Sequence, residues 1–189
     1  MADGHLGIWA AFGEMHPTGT EQRCWNHKIA NVLNDLPKTV QRQAAERLKA
    51  MPYAEPQGEC ERRRDAFVRT YHKTDKKAVE TLLRDGDRMV TFYAFPREHW
   101  RHLRTTTIVE SPFSSVRLRT DASRRYKRVA GATAIIWKML RVAEQAWRTL
   151  NASELLPLVA SGMTFKDRIA LKSGHERNHL DHQPERTAA

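Results

Sequence analysis

From Pro37 to Trp100 the apolar residues recur three and four positions apart, and no stretch alternates with period two. That spacing commits the middle of the chain to helices and leaves no room there for a strand ladder. Residues 38–50 read as one helix. The stretch from Met51 to Gly58, with Pro52 and Pro56, breaks it. Residues 59–72 form a second, with Phe67, Val68 and Tyr71 on its apolar side. Residues 75–93 form a third, through Val79, Leu82, Leu83, Met89, Val90 and Phe92, with Gly86 as the point where it kinks or splits.

The flanks are more varied. Residues 5–15 read as a helix with Leu6, Ile8, Trp9 and Phe12 on a broad apolar face. His16-Pro17-Thr18-Gly19 is a turn, and residues 20–25 are a short candidate strand. Residues 26–36 form a helix with Ile29, Val32, Leu33 and Leu36 inward, stopped by Pro37. After Pro96 the chain approaches a basic block. Residues 129–150 read as the longest helix, apolar through Ala130, Ala134, Trp137, Met139, Leu140, Val142 and Trp147. A short helix begins at Asn151 and ends at Gly162. Beyond about residue 172 the chain is polar, and disorder is expected there. His175, His179 and His182 suggest a metal site, but an unstructured polar tail is the better account.

The chain of 189 residues carries a net charge of +10. Its basic residues crowd around one segment, which favours nucleic acid over mere solubility as the reason for the charge. Two cysteines, Cys24 and Cys60, make no disulfide framework, and a reducing cytoplasm is the expected location. No apolar run is long enough to span a membrane, and the first residues carry no secretory signal.

The ten residues at the centre of the basic segment hold a single acid. Glu110 lies in Arg104-Thr105-Thr106-Thr107-Ile108-Val109-Glu110-Ser111-Pro112-Phe113, among Arg97, Arg101, Arg117, Arg119, Arg124, Arg125, Lys127 and Arg128. A carboxylate in a field suited to a polyanion also suits a metal ion that must meet phosphate. On spacing alone Glu110 reads equally well as the acid of a capping box opened by Thr107. Asp3, in Ala2-Asp3-Gly4-His5, reads by itself as a turn or helix-capping residue. Cys24 and His27 form Cys-x-x-His, a weak zinc signal with only half the ligands. Trp100 is either a buried anchor or a platform for an unstacked base. Arg101, Arg104, Arg117, Arg119, Arg124 and Arg125 are either phosphate contacts or a solvated basic face.

The blocks "ADGHLGIWAAF", "EQRCWNHKIANVLNDLPK", "AFPREHW" and "LRTTTIVESPFSSVRLRT" occur in that order and resemble those of Mutator-type bacterial insertion-sequence transposases. The similarity runs over roughly residues 2–162. Those enzymes are RNase H-like, with an Asp-Asp-Glu metal triad. The resemblance implies that Asp3 is the second acid and Glu110 the third, that Mg²⁺ or Mn²⁺ is the cofactor, and that Cys24 and His27 support the active site. It implies a bacterial cytoplasm close to the nucleoid as the location and DNA as partner, at transposon ends and at the target, with a second copy or a full-length transposase as a further one. Thr107 departs from the asparagine common in relatives.

The expected fold is therefore mainly α: the C-terminal portion of an RNase H-like α/β catalytic domain, with an all-helical insertion and few residual strands. Residues 1–36 would be part of the core, 37–100 the insertion, 101–163 the return to the core and 164–189 a largely disordered tail. The first Asp of the triad would lie outside this chain, so the expectation is a truncated transposase, inactive alone. The competing expectation is a non-catalytic module that binds DNA or transposase, acting as an inhibitor or remnant.

Overall fold

The computed structural model describes residues 1–171 except 124, 148 and 168. The histidines at 175, 179 and 182 therefore lie outside the described residues, as does Arg124.

The helical middle is built as its spacing requires. Helix α1 spans Leu6–Met15, α2 Trp25–Asn34, α3 Lys38–Ala50, α4 Gln57–Tyr71 and α5 Lys76–Leu83. Helices α2 to α5 pack around one core that includes Trp25, Ile29, Val32, Leu48, Phe67 and Val79. Pro37 sits immediately before α3, and Arg47 and Lys49 lie in its last turn, where they favour the helix dipole. Pro52 turns the chain into a 3-10 helix at Met51–Tyr53.

The third expected helix is split in three: α5, α6 at Gly86–Met89 and a 3-10 helix at Thr91–Ala94. The break falls on Asp85, which is left-handed at φ 64°, rather than on Gly86. Its carboxylate explains the position. Lys28, buried on α2, lies 3.4 Å from Asp85 Oδ2 and donates to the carbonyls of Thr81 (2.8 Å) and Arg84 (2.5 Å). These are carbonyls at the end of α5, and the ammonium caps them. Burial pulls the Lys28 pKa down, and the charge of Asp85 opposes that shift.

Helix α7 (Arg97–Leu103) follows Pro96 and delivers Trp100 into the core. Helix α8 covers Thr107–Ala122 and α9 covers Val129–Glu144, and the two pack on each other. Although apolar, α9 buries no residue: Ile135 is 40% exposed and Trp137 62%. A 3-10 helix at Ser153–Leu155 leads into α10 (Leu156–Ala160), which Gly162 ends at φ 82°.

Two expectations about strands change. Residues 20–25 form no strand; they contribute one isolated parallel bridge, Ala2 to Arg23. The segment expected to begin a disordered tail at 164 instead carries an antiparallel hairpin, β1 (Phe165–Lys166) with β2 (Ile169–Ala170). Phe165 is buried, β1 packs on the 3-10 helix at Thr91–Ala94, and Asp167 accepts a hydrogen bond of 2.7 Å from the Gln57 backbone. One aromatic and one cap thus hold a segment that looks merely polar in sequence. The described residues are mainly helical, and no helix among them is long and apolar enough to cross a membrane.

Candidate active site

The site is assembled from three places in the chain. Ala2 donates to the carbonyl of Gln22 (3.0 Å) and accepts from the amide of Cys24 (2.8 Å), so the start of the chain is fixed beside the start of α2. Asp3 follows at once. Its Oδ1 accepts from the His5 amide at 2.9 Å, an Asx-type turn, while the α1 cap itself is His5. Gly4 completes that turn at φ 95°, a conformation natural to glycine. A Cβ there would fall 0.7 Å from Arg23 Nη1. Arg23 is nearly buried and faces Asp85 at 3.8 Å. Gly4→Ala is therefore expected to push the guanidinium out of its place as well as strain the backbone, lowering stability by about 2 kcal/mol. Chemical denaturation would measure it; an unchanged midpoint would mean that Gly4 is not the cradle for Arg23.

Cys24 sits just before α2, fully buried, and His27 lies one turn on. The third contribution is the start of α8. The backbone amide of Thr106 donates to Cys24 Sγ at 3.3 Å, and its hydroxyl lies 3.2 Å from the same sulfur. That hydroxyl is also 3.4 Å from His27 Nδ1 and donates to Glu110 Oε1 in a short hydrogen bond. His27 Nε2 stands 3.8 Å from the same carboxylate oxygen. Cys24, His27, Thr106 and Glu110 thus form one connected group.

The electrostatics follow from these contacts. Burial would push the Cys24 thiol up, but hydrogen bonds from Thr106 and His27 outweigh it and hold the thiol below its usual range. The His27 pKa is raised, first by its hydrogen bond with Cys24 against the effect of burial, then by the charges of Cys24, Glu110 and Asp3. Both candidate metal-ligating acids therefore act on one imidazole, although Asp3 and Glu110 stand far apart in sequence.

The capping-box expectation is not what the structure has. Thr106, not Thr107, precedes the first residue of α8, and Thr106 is the threonine that reaches Glu110. Thr107 instead accepts from Asn26 Nδ2 at 3.2 Å. Sequence reasoning missed Thr106 because three consecutive threonines gave no reason to choose one. The available signal was its position four residues before Glu110, on the same helical face.

Trp100 is the buried anchor. It is 1% exposed, donates through Nε1 to the Phe95 carbonyl at 2.8 Å and meets Tyr93 and Phe92 edge-on. No ring face is open to a base, so the platform reading falls. Arg104 is corrected too: its guanidinium lies over Tyr53, Phe92 and Trp100 at 4.9, 5.2 and 5.7 Å, spent on packing rather than offered to phosphate. Arg101, Arg117, Arg119 and Arg125 are exposed. Seven residues separate Glu110 from Arg117, two helical turns, so Arg117 lies on the glutamate's face about 10 Å along the axis. Arg119, nine residues on, lies on the opposite face.

The family described as "Transposase, Mutator family" matches residues 1–149. The chain belongs to that family. Among related proteins, the transposase for insertion sequence element IST2 of Acidithiobacillus ferrooxidans is 40% identical over 169 residues, 89% of this chain and 57% of its own length. The transposase for insertion sequence element IS6120 of Mycolicibacterium smegmatis is 39% identical over 165 residues, covering 87% of this chain and 51% of its own. This Mutator-family chain therefore spans about half the length of the curated relatives it matches. The matched region contains Asp3, Cys24, His27, Thr106 and Glu110 together.

Proposed function

We propose that the chain carries part of the catalytic domain of an insertion-sequence transposase, of RNase H-like type, that cleaves and joins DNA at transposon ends. The observation that carries this reading is the contact of Glu110 with Thr106 and His27, beside the start of the chain that Ala2 ties to Cys24 next to Asp3. Asp3 and Glu110 offer hard oxygen donors suited to Mg²⁺ or Mn²⁺. Among the described residues no group of three or more His, Cys, Asp or Glu is placed to hold a metal ion, so Asp3 and Glu110 would be only part of a ligand set. The remaining carboxylate would come from the part of the relatives' length that this chain does not span. Asp3 and Glu110 would help to hold such ions, whose chemistry would be activation of a water or a 3′-hydroxyl and stabilisation of the leaving oxygen at phosphorus. Cys24 and His27 hold the glutamate side of that site, and exposed Arg101, Arg117, Arg119 and Arg125 supply positive charge for the DNA backbone.

By itself the chain is expected to bind DNA weakly, without sequence preference, and not to nick it. Binding measured by fluorescence anisotropy should weaken steeply with salt. Arg117→Ala should reduce the slope of log K against log salt by about 1, the contribution of one phosphate contact. Arg119→Ala, on the far face of α8, should change it less. Equal effects would remove the Glu110 face as the DNA surface. Robust Mg²⁺-dependent nicking of supercoiled plasmid by this chain would overturn its assignment as an incomplete active site.

A second reading has one observation in its favour. No residue of α9 is fully buried and most of its apolar side chains are exposed, which suits a module that associates with another copy or with full-length transposase and inhibits transposition.

A further inference from the structure

Glu110 is exposed, with its side chain 49% accessible, and a free glutamate on a helix surface samples several rotamers. Here its orientation is fixed from behind. The Thr106 hydroxyl has one proton, and its shortest contact is to Glu110 Oε1. Cys24 Sγ at 3.2 Å is a second, softer acceptor for the same proton, and His27 Nδ1 lies 3.4 Å away. The backbone that carries the hydroxyl is held as well, because the Thr106 amide donates to Cys24 Sγ at 3.3 Å. The sulfur is immobile in turn: Cys24 is fully buried, and its amide is bonded to Ala2. Among the described residues nothing takes Glu110 Oε2.

We propose that Thr106 is a positioning residue, which with Cys24 as its anchor holds the Glu110 carboxylate in one orientation and leaves its second oxygen for a divalent cation. The inference rests on reading Glu110 as a metal ligand. It gives the Cys-x-x-His pair a physical role, in which the thiol locks the threonine and the imidazole flanks the carboxylate. Threonine suits the position because its hydroxyl can donate to an oxygen four residues ahead while its amide stays at the helix entrance. Valine has the same shape without the proton, and serine keeps the proton.

The test is Mn²⁺ binding to the whole 189-residue chain, followed by water-proton relaxation, with circular dichroism confirming the fold of each variant. Glu110→Gln should abolish the specific binding. Thr106→Val should weaken it about tenfold, as loss of a partner behind a metal ligand does, and Thr106→Ser should restore it. If Glu110→Gln abolishes binding while Thr106→Val leaves it unchanged, the positioning role is wrong and the metal reading stands. If serine binds as poorly as valine, the hydroxyl is not the agent and the proposal fails. If no Mn²⁺ binding depends on Glu110, the metal reading fails and this inference falls with it.

Discussion

Trp100→Ala is expected to destabilise the chain by about 3–5 kcal/mol, the usual effect of deleting a buried tryptophan side chain. The indole is at the centre of an aromatic group, 4.8 Å from Tyr93 and 5.5 Å from Phe92 between ring centroids. Its removal opens a cavity under α7 and takes away one of the three rings beneath the Arg104 guanidinium. It also leaves the Phe95 carbonyl without its indole donor. Trp100→Phe should recover much of the loss, because edge-on packing survives while the hydrogen bond does not. Urea denaturation followed by circular dichroism measures both. If Trp100→Ala instead melted like the parent and lost DNA affinity, the ring would be a nucleotide contact after all.

Lys28→Ala should be nearly as damaging, at about 3 kcal/mol. The substitution leaves the carbonyls of Thr81 and Arg84 without the ammonium that bonds both. Asp85 keeps partners, since Arg23 and Arg88 stand 3.8 and 3.6 Å from its carboxylate. The loss should therefore concentrate at the junction of α5 and α6. Hydrogen exchange gives the decisive readout: faster exchange confined to residues around 80–90 is expected. Uniform acceleration throughout the chain would mean that Lys28 contributes general stability rather than a local cap.

The helices were readable where one physical signal dominated. Helix α3 ends where Pro37 and Pro52 require, and α2 follows its run of Ile29, Val32 and Leu33. The break near residue 86 was visible, but its cause was not: Asp85 turns because Lys28, more than fifty residues away, holds the end of α5. The 165–170 hairpin was hidden for a similar reason, since its support comes from Gln57 and the 3-10 helix at Thr91–Ala94. At the site, Cys24, His27 and Glu110 could be named from motifs. Thr106 could not, because its importance comes from a sulfur 82 residues away. Arg104 and Trp100 misled as DNA contacts because charge and aromaticity in a sequence do not say which side of the surface they occupy.

The Cys24–Thr106 contact also limits how this part of the protein can drift. A sulfur accepts the Thr106 amide at 3.3 Å, whereas an oxygen would draw it to about 2.9 Å. Exchanging cysteine for serine alone would thus ask the entrance of α8 to move inward by a few tenths of an ångström, and the glutamate would travel with it. Positions 24 and 106 form a two-part gauge that sets the height of one helix against another. Substitutions tolerated at either position should come in compensating pairs.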